Sequence, residues 1–392
     1  MSNNFTTIQS IAASTFRKTN DGNTTVTDDN GRLVLAGDGF EDATYPKYLP
    51  TWDTKEHFEP LTEFVHVDPG SRADTSFPNL LSKDNGDLQN KRLTPKFGTE
   101  IRGVQLSSLT DAGKDELARF VAERGVVVFR DQDLADLSVP DALKFSSYFG
   151  RNHIHPTSGA PKGYPEVHLV YRSKNDSVHE TFFKNHISSV AWHSDVTYEK
   201  QPPGTTFLGM LDSPETGGDT IFADTVEAYN RLSPEFQKRL HGLKVLHSGV
   251  AQANSSRAQG GVVRRDPVEN WHPLVRQHPV TKQKALFINP QFSRRIQGFK
   301  QEESDFLLNF LYDFLSKSAD LHVRASWEPR TVVVWDNRRS VHSALLDWST
   351  GERRHAFRLT PQAEPPTEDF DAAVPVSLNG LSLNEKQEEK KE

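Results

Sequence analysis

Apolar residues are grouped into short segments over much of the chain, and turn residues separate these segments. Six segments have the length and the β-branched or aromatic composition of strands, at residues 205–211, 220–223, 243–247, 285–288, 331–335 and 355–360. Short strands that recur in this way are typical of a jelly roll or a barrel. The pattern therefore predicts a mainly β domain in the second half of the chain.

Helices are predicted to flank this β-rich region. Asp111 is expected to cap a helix that ends at Gly125 and precedes a buried strand at residues 126–129. Two further helices are predicted, one beginning at Ser233 and one over residues 302–316. The last helix has apolar residues at helical spacing, which are Phe306, Leu307, Phe310, Leu311 and Phe314. Because these helices should cover the sheets from outside, the predicted class is α+β.

The two ends of the chain differ in composition from the region between them. Residues 1–90 are polar and rich in Asn, Asp, Thr, Pro and Gly, which predicts an extension that wraps the main domain. Residues 363–392 are rich in Pro and Glu, and such a composition buries too little apolar surface to order itself. We therefore expect a disordered tail there and one domain over residues 91–362.

Composition and charge exclude several classes of protein. No apolar stretch approaches the roughly 18 residues that cross a bilayer, and a net charge of -7 without a long basic stripe argues against nucleic-acid binding. The first residues lack the basic start and apolar run of a secretory signal, so a cytoplasmic protein is expected. Because the chain has no cysteine, any metal site must use His, Asp or Glu.

A candidate metal site is formed by His193 and Asp195 together with His342, which lies far downstream in the segment WDNRRSVHSA. On a strand, residues i and i+2 point to the same face, so the first two could hold a metal from one side. Two His and one carboxylate leave coordination positions open, as in non-haem Fe(II) oxygenases. A buried, hydrogen-bonded His-Asp pair is the alternative. His66 and Asp68 have the same spacing, but they precede Pro-Gly, where a turn is expected.

Arginines downstream of this candidate site favour a ligand-binding interpretation. In the segment RRHAFR, strand alternation directs Arg354 and Arg358 to one face and Arg353 to the opposite face. Two buried guanidinium groups require anions, which bound ligands can provide. The alternative is a set of surface arginines with ordinary salt bridges.

These segments resemble those of a known family. The stretch WHSDVTYEKQPPGTTFLGMLDSPETGGDTIFADTVEAYNRLSPEF closely resembles the core motif of the taurine dioxygenase family, and FGRNHIHP, WDNRRSVH and RRHAFR resemble its other motifs in the same order. The resemblance extends from about Lys96 to Pro361 and is nearest in style to fungal sulfonate dioxygenases and bacterial alkylsulfatases. It implies a double-stranded β-helix, a cupin-like jelly roll. A homo-oligomer, either a dimer or a tetramer, is also expected.

The resemblance implies roles for the residues of the candidate metal site and their neighbours. His193, Asp195 and His342 would bind Fe(II) and act as the catalytic centre. Thr220, in the segment GGDTIF, and Arg354 would bind the distal carboxylate of 2-oxoglutarate, the cosubstrate that is consumed together with O2.

The resemblance also implies a substrate site for a small organosulfur anion. His155 and Arg358 would contact the sulfonate or sulfate group, and Val196 would pack beside the reacting carbon. His153 is an alternative to His155 because it lies two residues away. Arg353 is an alternative to its neighbour as the 2-oxoglutarate ligand, because the preceding loop is about one residue longer than in the family.

Two small residues depart from the pattern of the taurine enzymes. Ser158 and Ser189 stand where those enzymes carry an aromatic residue and an Asn, so both are expected at a roomier far end of the substrate pocket. Taurine should then be a poorer substrate than an alkyl sulfonate or alkyl sulfate. Hydroxylation next to the sulfur group would release sulfite or sulfate and an aldehyde, with succinate and CO2. A role in sulfur scavenging would suit a chain with no Cys and only two Met.

Other functions fit part of this pattern. The same chemistry could act on another small substrate, such as a phenoxyacetate or xanthine. The three metal ligands would also serve a Zn hydrolase or a non-catalytic metal-binding jelly-roll protein. Thr220 and the two inward arginines favour the dioxygenase, because a hydrolase has no need to bind a dicarboxylate.

Overall fold

The computed structural model describes residues 17–18, 24–36, 40–175, 178–348 and 351–369. Most of the predicted tail, residues 370–392, and the start of the predicted extension lie outside these ranges. Four short 3-10 helices are at Pro46–Tyr48, Pro69–Ser71, Leu106–Ser108 and Ala319–Leu321. The α-helices are α1 (Asp111–Arg124), α2 (Val139–Ser147), α3 (Val178–Phe183), α4 (Thr225–Arg231), α5 (Pro234–Leu240), α6 (Val250–Ala258) and α7 (Gln301–Lys317).

Short strands account for most of the remaining regular structure, and within the described ranges they form six sheets. The strands are β1 (Arg17–Lys18), β2 (Thr24–Thr27), β3 (Arg32–Leu35), β4 (Thr51–Asp53), β5 (Gln89–Arg92), β6 (Thr99–Arg102), β7 (Val126–Phe129), β8 (Arg151–Asn152), β9 (Val167–Arg172), β10 (Thr205–Asp212), β11 (Thr220–Asp224), β12 (Lys244–Ser248), β13 (Glu269–Pro273), β14 (Val275–Gln277), β15 (Lys284–Leu286), β16 (Ser293–Ile296), β17 (His322–Ala325), β18 (Val332–Asp336), β19 (Ser340–Ala344), β20 (Arg354–Leu359) and β21 (Pro361–Gln362). The six predicted strands are confirmed, with small shifts at their ends.

Two of the sheets share one apolar core. The larger sheet has the strand order β5-β6-β7-β18-β10-β20-β9 and is antiparallel apart from the pair β6 and β7. The smaller sheet has the order β17-β11-β19. Phe222 and Val323 of the smaller sheet and Leu208 and Trp335 of the larger one belong to the same buried cluster. Burial of each such side chain contributes about 1.5–3 kcal/mol, so this cluster holds the sheets together.

Helices α1 and α2 cover the other face of the seven-stranded sheet, which gives the protein a mixed α and β architecture. Helix α1 begins after Thr110, whose hydroxyl accepts a hydrogen bond from the Gly113 amide at 3.2 Å. The predicted cap, Asp111, is instead the first helical residue. Gly125 ends the helix as predicted, with a φ of 74° that glycine adopts without steric cost.

Helix α7 is present where a helix is predicted, but the predicted apolar face is wrong in part. Phe306 and Phe310 are 79% and 46% exposed, whereas Leu308, Leu311 and Leu315 are buried. At 100° per residue, position 306 lies on the side of the helix nearly opposite to position 308. The leucine stripe packs inward because it is continuous along the helix, so the two phenylalanines face outward.

The predicted extension forms a small sheet against the main domain. Strands β1 to β4 are hydrogen-bonded in chain order. Leu33, Leu35 and Trp52 from this sheet share a buried cluster with Tyr171 and Val262.

The described chain also continues beyond the predicted boundary at residue 362. Ala363 and Glu364 are buried, and the Glu364 carboxylate pairs with Arg276 at 2.6 Å. This pairing offsets the cost of burying the carboxylate. The first residues of the predicted tail are therefore packed onto the domain.

Candidate active site

His193, Asp195 and His342 meet beside strand β19. The backbones of His193 and His342 form an isolated antiparallel bridge with two hydrogen bonds of 2.9 and 2.7 Å. The Nε2 atoms of the two imidazoles lie 3.8 and 3.6 Å from the Oδ1 atom of Asp195. Atoms that are each about 2.1 Å from one metal ion are at most about 4.2 Å apart, so these distances suit a shared metal.

The local backbone that produces this convergence differs from the predicted strand. Asp195 lies in a turn, and only His193 has a strand-like pairing. The Asp195 amide donates a hydrogen bond to the side chain of Asn337 at 3.0 Å, and Val196 then adopts a φ of 39°. The strand alternation argument for this segment is therefore wrong, because a tertiary hydrogen bond and a turn orient the carboxylate.

The three side chains have unsatisfied atoms where a metal would bind. The Nδ1–H of His193 donates to the carbonyl of Ala191 at 2.9 Å, which leaves Nε2 with its lone pair. Among the described residues, neither ring nitrogen of His342 nor the Oδ2 atom of Asp195 has a hydrogen-bond partner. Burial holds the pKa of His342 well below its usual range and lowers that of His193, so both imidazoles are neutral. Neutral imidazoles and a carboxylate suit Fe(II), and the residues fit this metal.

Arg358 orients the carboxylate of this group. It donates from a guanidinium nitrogen to the Oδ1 atom of Asp195 at 2.5 Å, and its guanidinium lies 5.4 Å from the centre of the Trp335 ring. The ion pair is buried on both sides, which makes it rigid and strong. The oxygen that Arg358 holds is the same Oδ1 atom that lies 3.8 and 3.6 Å from the two imidazole nitrogens, and Oδ2 has no hydrogen-bond partner among the described residues.

Arg354 is buried without an ionic partner. Its Nε donates to the carbonyl of Gly218 at 3.0 Å, and no described carboxylate forms an ion pair with it. Burial, followed by the neighbouring Arg172 and Arg358, lowers the pKa of Arg354 to about 10. The hydroxyl of Thr220, two residues after Gly218, is also buried without a partner among the described residues. A carboxylate ligand would satisfy both side chains.

Arg353 is directed elsewhere. It pairs with the carboxylates of Asp42 and Asp212, which belong to the predicted extension and to the end of β10. The two neighbouring arginines thus face opposite sides of β20, as strand alternation predicts.

A cavity of about 200 Å³ opens beside the candidate metal site. Four of the predicted substrate residues line it, namely His155, Ser158, Val196 and Arg358. His193 and Asp195 line it as well, so the cavity connects the predicted anion contacts to the candidate metal site.

His155 has a defined protonation state in this cavity. Its Nδ1 atom accepts hydrogen bonds from the backbone amides of Thr157 and Ser158 at 3.3 and 3.1 Å. Burial, assisted by the nearby His168, holds the pKa of His155 well below its usual range, so the ring is neutral. Since Nδ1 is an acceptor, the proton is on Nε2, and this N–H is available as a donor.

The far end of the cavity differs from the prediction. Ser189 does not line it, because its hydroxyl accepts a hydrogen bond from the Leu346 amide at 3.2 Å on another loop. Gln252 and Gln291 line the cavity instead, together with Phe292. The cavity lining therefore presents two amide groups as well as the aromatic ring of Phe292, which lies 6.4 Å from the His193 ring, and it is less apolar than predicted.

The alternative histidine, His153, is engaged in a different network. Its Nε2 lies 2.9 Å from the carboxylate of Glu199, which also pairs with the buried Arg265. Because His153 is 2% exposed and does not line the cavity, this network supports the loop that carries His155.

The second motif with HxD spacing forms part of a buried ion-pair cluster. His66 and Asp68 come close to Glu364, and the three could by distance hold a metal. However, the guanidinium of Arg338 donates to both carboxylates and provides the positive charge that they need. Asp68 also caps the short helix at Pro69–Ser71, so the predicted turn is confirmed.

Five residues that line the cavity are absent from the predicted site. They are Thr157, His168, Gln252, Gln291 and Phe292. No local pattern in VHLVYR singles out His168, because it reaches the cavity through its pairing with Arg358 on the neighbouring strand. The two glutamines lie on α6 and on a loop, where no local pattern indicates which side chains reach the cavity.

Comparison with known proteins agrees with this geometry. Residues 89–360 match the model of the family described as "Taurine catabolism dioxygenase TauD, TfdA family". An alpha-ketoglutarate-dependent sulfonate dioxygenase of Saccharomyces cerevisiae is 50% identical over 342 residues, which cover 87% of this chain and 83% of the relative. An alkylsulfatase of Acinetobacter baylyi is 31% identical over 290 residues, covering 71% and 86%.

Solved structures show the same similarity. The crystal structure of a taurine dioxygenase from Burkholderia xenovorans superposes with a TM-score of 0.59 at 28% identity, covering 73% of this chain and 93% of that chain. The protein therefore belongs to the TauD/TfdA family of dioxygenases, whose members use Fe(II), 2-oxoglutarate (alpha-ketoglutarate) and O2. In the part of the chain that the structure describes, no helix is long and apolar enough to cross a membrane.

Proposed function

We propose that this protein hydroxylates the carbon next to the sulfonate or sulfate group of a small organosulfur anion. The observation that carries the proposal is a set of buried polar groups with unsatisfied atoms. Arg354 has no ion pair with a described carboxylate, and Thr220, His342 and Asp195 each have a side-chain atom without a described partner. A carboxylate ligand would satisfy the first two, and a metal ion the last two. A buried arginine without an anion is costly, so its retention indicates a ligand.

His193, Asp195 and His342 would hold Fe(II), and Arg354 with Thr220 would hold the distal carboxylate of 2-oxoglutarate. The bound iron supplies the oxidising chemistry, in which O2 converts 2-oxoglutarate to succinate and CO2 and a C–H bond of the substrate becomes C–OH. The protein fixes the protonation of the ligands through the hydrogen bond from His193 to the Ala191 carbonyl.

Arg358 and His155 would bind the substrate anion. Both line the cavity, and each has an N–H group near the metal residues. Val196 is 3% exposed and would form an apolar wall beside the reacting carbon. The anion contacts would hold that carbon near the oxidant, so that binding energy is used for orientation. The hydroxylated product would decompose to an aldehyde with release of sulfite from a sulfonate, or of sulfate from a sulfate ester.

The relatives support this substrate class. Their names specify sulfonates, sulfate esters and alkyl sulfates, and the sulfate ester dioxygenase of Pseudomonas putida is 28% identical over 282 residues. A Zn hydrolase with the same three ligands would leave the buried charge of Arg354 unexplained.

The remaining predictions on architecture extend this proposal. We propose that the seven-stranded and three-stranded sheets form a double-stranded β-helix, with residues 91–362 as the catalytic domain and residues 1–90 as an extension. A homo-oligomer and a cytoplasmic location stay predictions. The disordered tail predicted over residues 363–392 lies outside the described residues from residue 370 onward.

A turnover assay tests the proposed function. The purified protein with Fe(II), ascorbate and 2-oxoglutarate should form succinate together with sulfite from butanesulfonate, or with sulfate from butyl sulfate. Taurine should be turned over more slowly than butanesulfonate, because the described lining of the cavity contains no carboxylate near its far end. Asp195→Asn should abolish turnover and reduce the iron retained after gel filtration, because the anionic ligand is lost.

Asp313→Asn is the matched control, since Asp313 is 66% exposed on α7 and its one ion pair with a described residue is with Lys317. This control should retain the activity and iron content of the parent. Succinate formation that no organosulfur compound stimulates, or an Asp195→Asn protein that turns over at the parent rate, would contradict the proposal.

A further inference from the structure

The imidazole of His168 lines the cavity together with Arg358 and His155, and it has no role in the proposed function. His168 lies on β9 and pairs across the sheet with Arg358 on β20. Directly opposed residues project to the same face of a sheet with Cβ atoms about 4.5–5.5 Å apart. Both side chains line the cavity, so His168 is the immediate neighbour of the guanidinium that is assigned to the substrate anion.

His168 also contacts the second predicted anion ligand. Its ring lies against that of His155, with 4.4 Å between the ring centroids and 38° between the planes. Neither ring nitrogen of His168 hydrogen-bonds to any residue that the structure describes, whereas the Nδ1 of His155 accepts two backbone amides. Three side chains with N–H groups, Arg358, His155 and His168, therefore border one end of the cavity.

We infer that His168 is a third hydrogen-bond donor to the substrate anion and that it makes the site selective for a tetrahedral –SO3 group over a planar carboxylate. This inference rests on the proposed function and specifies how its substrate class is recognised. A sulfonate, or the terminal part of a sulfate ester, has three oxygens that diverge toward three donors. A carboxylate directs its acceptor lone pairs within one plane, so it cannot align with three donors arranged around a tetrahedral group, and a poorly aligned N–H is unfavourable in a buried site.

The charge of the site agrees with a monoanion. Burial, together with Arg358, holds the pKa of His168 well below its usual range, and His155 is neutral as well. One guanidinium and two neutral donors match the single charge of a sulfonate or sulfate monoester better than the double charge of a phosphate monoester.

Two substitutions separate hydrogen bonding from ring packing. His168→Phe keeps a ring against His155 but removes the donor, and His168→Gln keeps an N–H donor but removes the ring. Val170→Ala, two residues further along the same strand face, controls for disturbance of β9. The probes are butanesulfonate, pentanoate as a competitive inhibitor with the same alkyl chain, and 2-oxoglutarate.

Loss of a hydrogen bond to an anion should raise the KM for butanesulfonate at least about tenfold in His168→Phe. The inhibition constant of pentanoate should change little, because the third donor is poorly aligned with a planar carboxylate, and the KM for 2-oxoglutarate should be unchanged. His168→Gln should recover part of the sulfonate affinity. Calorimetric binding of butanesulfonate to the iron-loaded protein without O2 should show the same order as the KM values.

The outcomes distinguish this inference from the proposed function. A parent enzyme that oxidises no sulfonate and no sulfate ester contradicts the proposed function itself. A parent enzyme that turns over, combined with a His168→Phe variant of unchanged KM for butanesulfonate, overturns the role of His168 alone. If His168→Phe loses as much affinity for pentanoate as for butanesulfonate, the proposed selectivity is overturned. If Val170→Ala loses the same affinity for butanesulfonate as His168→Phe, the effect belongs to the packing of β9 and the role of His168 is overturned.

Discussion

Replacing Arg354 by Met should weaken 2-oxoglutarate binding and, at the same time, stabilise the ligand-free protein. Arg354 is 3% exposed, donates to the Gly218 carbonyl and has no ion pair with a described carboxylate. Burial and the neighbouring Arg172 and Arg358 lower its pKa from 12.5 to about 10. The folded protein therefore carries a buried cation whose charge is only partly offset, by the more distant carboxylates of Asp219 and Asp347.

The size and sign of both effects follow from this pKa. A base with a lower pKa in the folded than in the unfolded protein destabilises the fold while it is charged, and the penalty is relieved as the pH rises above about 10. The difference between 12.5 and about 10 corresponds to about 3 kcal/mol, which is the upper limit of the stability gained at neutral pH. Loss of charge-assisted hydrogen bonds to the carboxylate should cost about 3 kcal/mol, or roughly 100-fold in the KM for 2-oxoglutarate.

Chemical denaturation of the iron-free protein and the 2-oxoglutarate dependence of succinate formation measure the two effects. Met is chosen because an apolar side chain can fill the space between Trp327 and Trp348, whose ring centres lie 6.0 and 5.9 Å from the guanidinium. Arg353→Met is the matched control and should lower stability without changing the KM for 2-oxoglutarate. An unchanged KM in Arg354→Met, or a large rise in Arg353→Met, would refute the assignment.

Two further predictions concern the support of the site and the dependence of stability on pH. Gly159→Ala should destabilise the protein by about 1–3 kcal/mol, because the added Cβ would lie 2.6 Å from the Pro50 side chain. The same change should raise the KM for the organosulfur substrate. Gly86→Ala is the control, because the space around Gly86 is open. Burial lowers the pKa of His272 from 6.5 to about 4. Between these two pH values the imidazole is protonated in the unfolded protein and neutral in the folded protein, so the free energy of unfolding should fall as the pH drops from 6.5 to 4. Denaturation curves over this range should be less pH-dependent for His272→Gln, and an unchanged slope would contradict the reasoning.

Local sequence patterns determined the elements and the set of residues from which the site is built. The apolar segments predicted the strands because alternation and β-branched composition reflect contacts that every strand makes with its own sheet. The same alternation predicted that Arg354 and Arg353 face opposite sides of β20, and the separate environments of these two side chains agree. For α7 the pattern failed to select the buried stripe, because two apolar stripes compete on one helix and the packing partner decides between them.

Tertiary structure alone decided which side chains surround the cavity and how they are oriented. His168 lines the cavity beside Arg358 through the pairing of these two residues, a contact between strands that are far apart in the chain. Gln252 and Gln291 line the cavity and the predicted Ser189 does not, because nothing in the local sequence shows that this position of α6 or this loop position faces the cavity. The two HxD motifs are equivalent in spacing, yet Arg338 neutralises the carboxylate of one, while the carboxylate of the other keeps a free oxygen beside His342. The physical reason is that burial and charge pairing depend on the whole surroundings of a side chain, whereas spacing records only its neighbours along the chain.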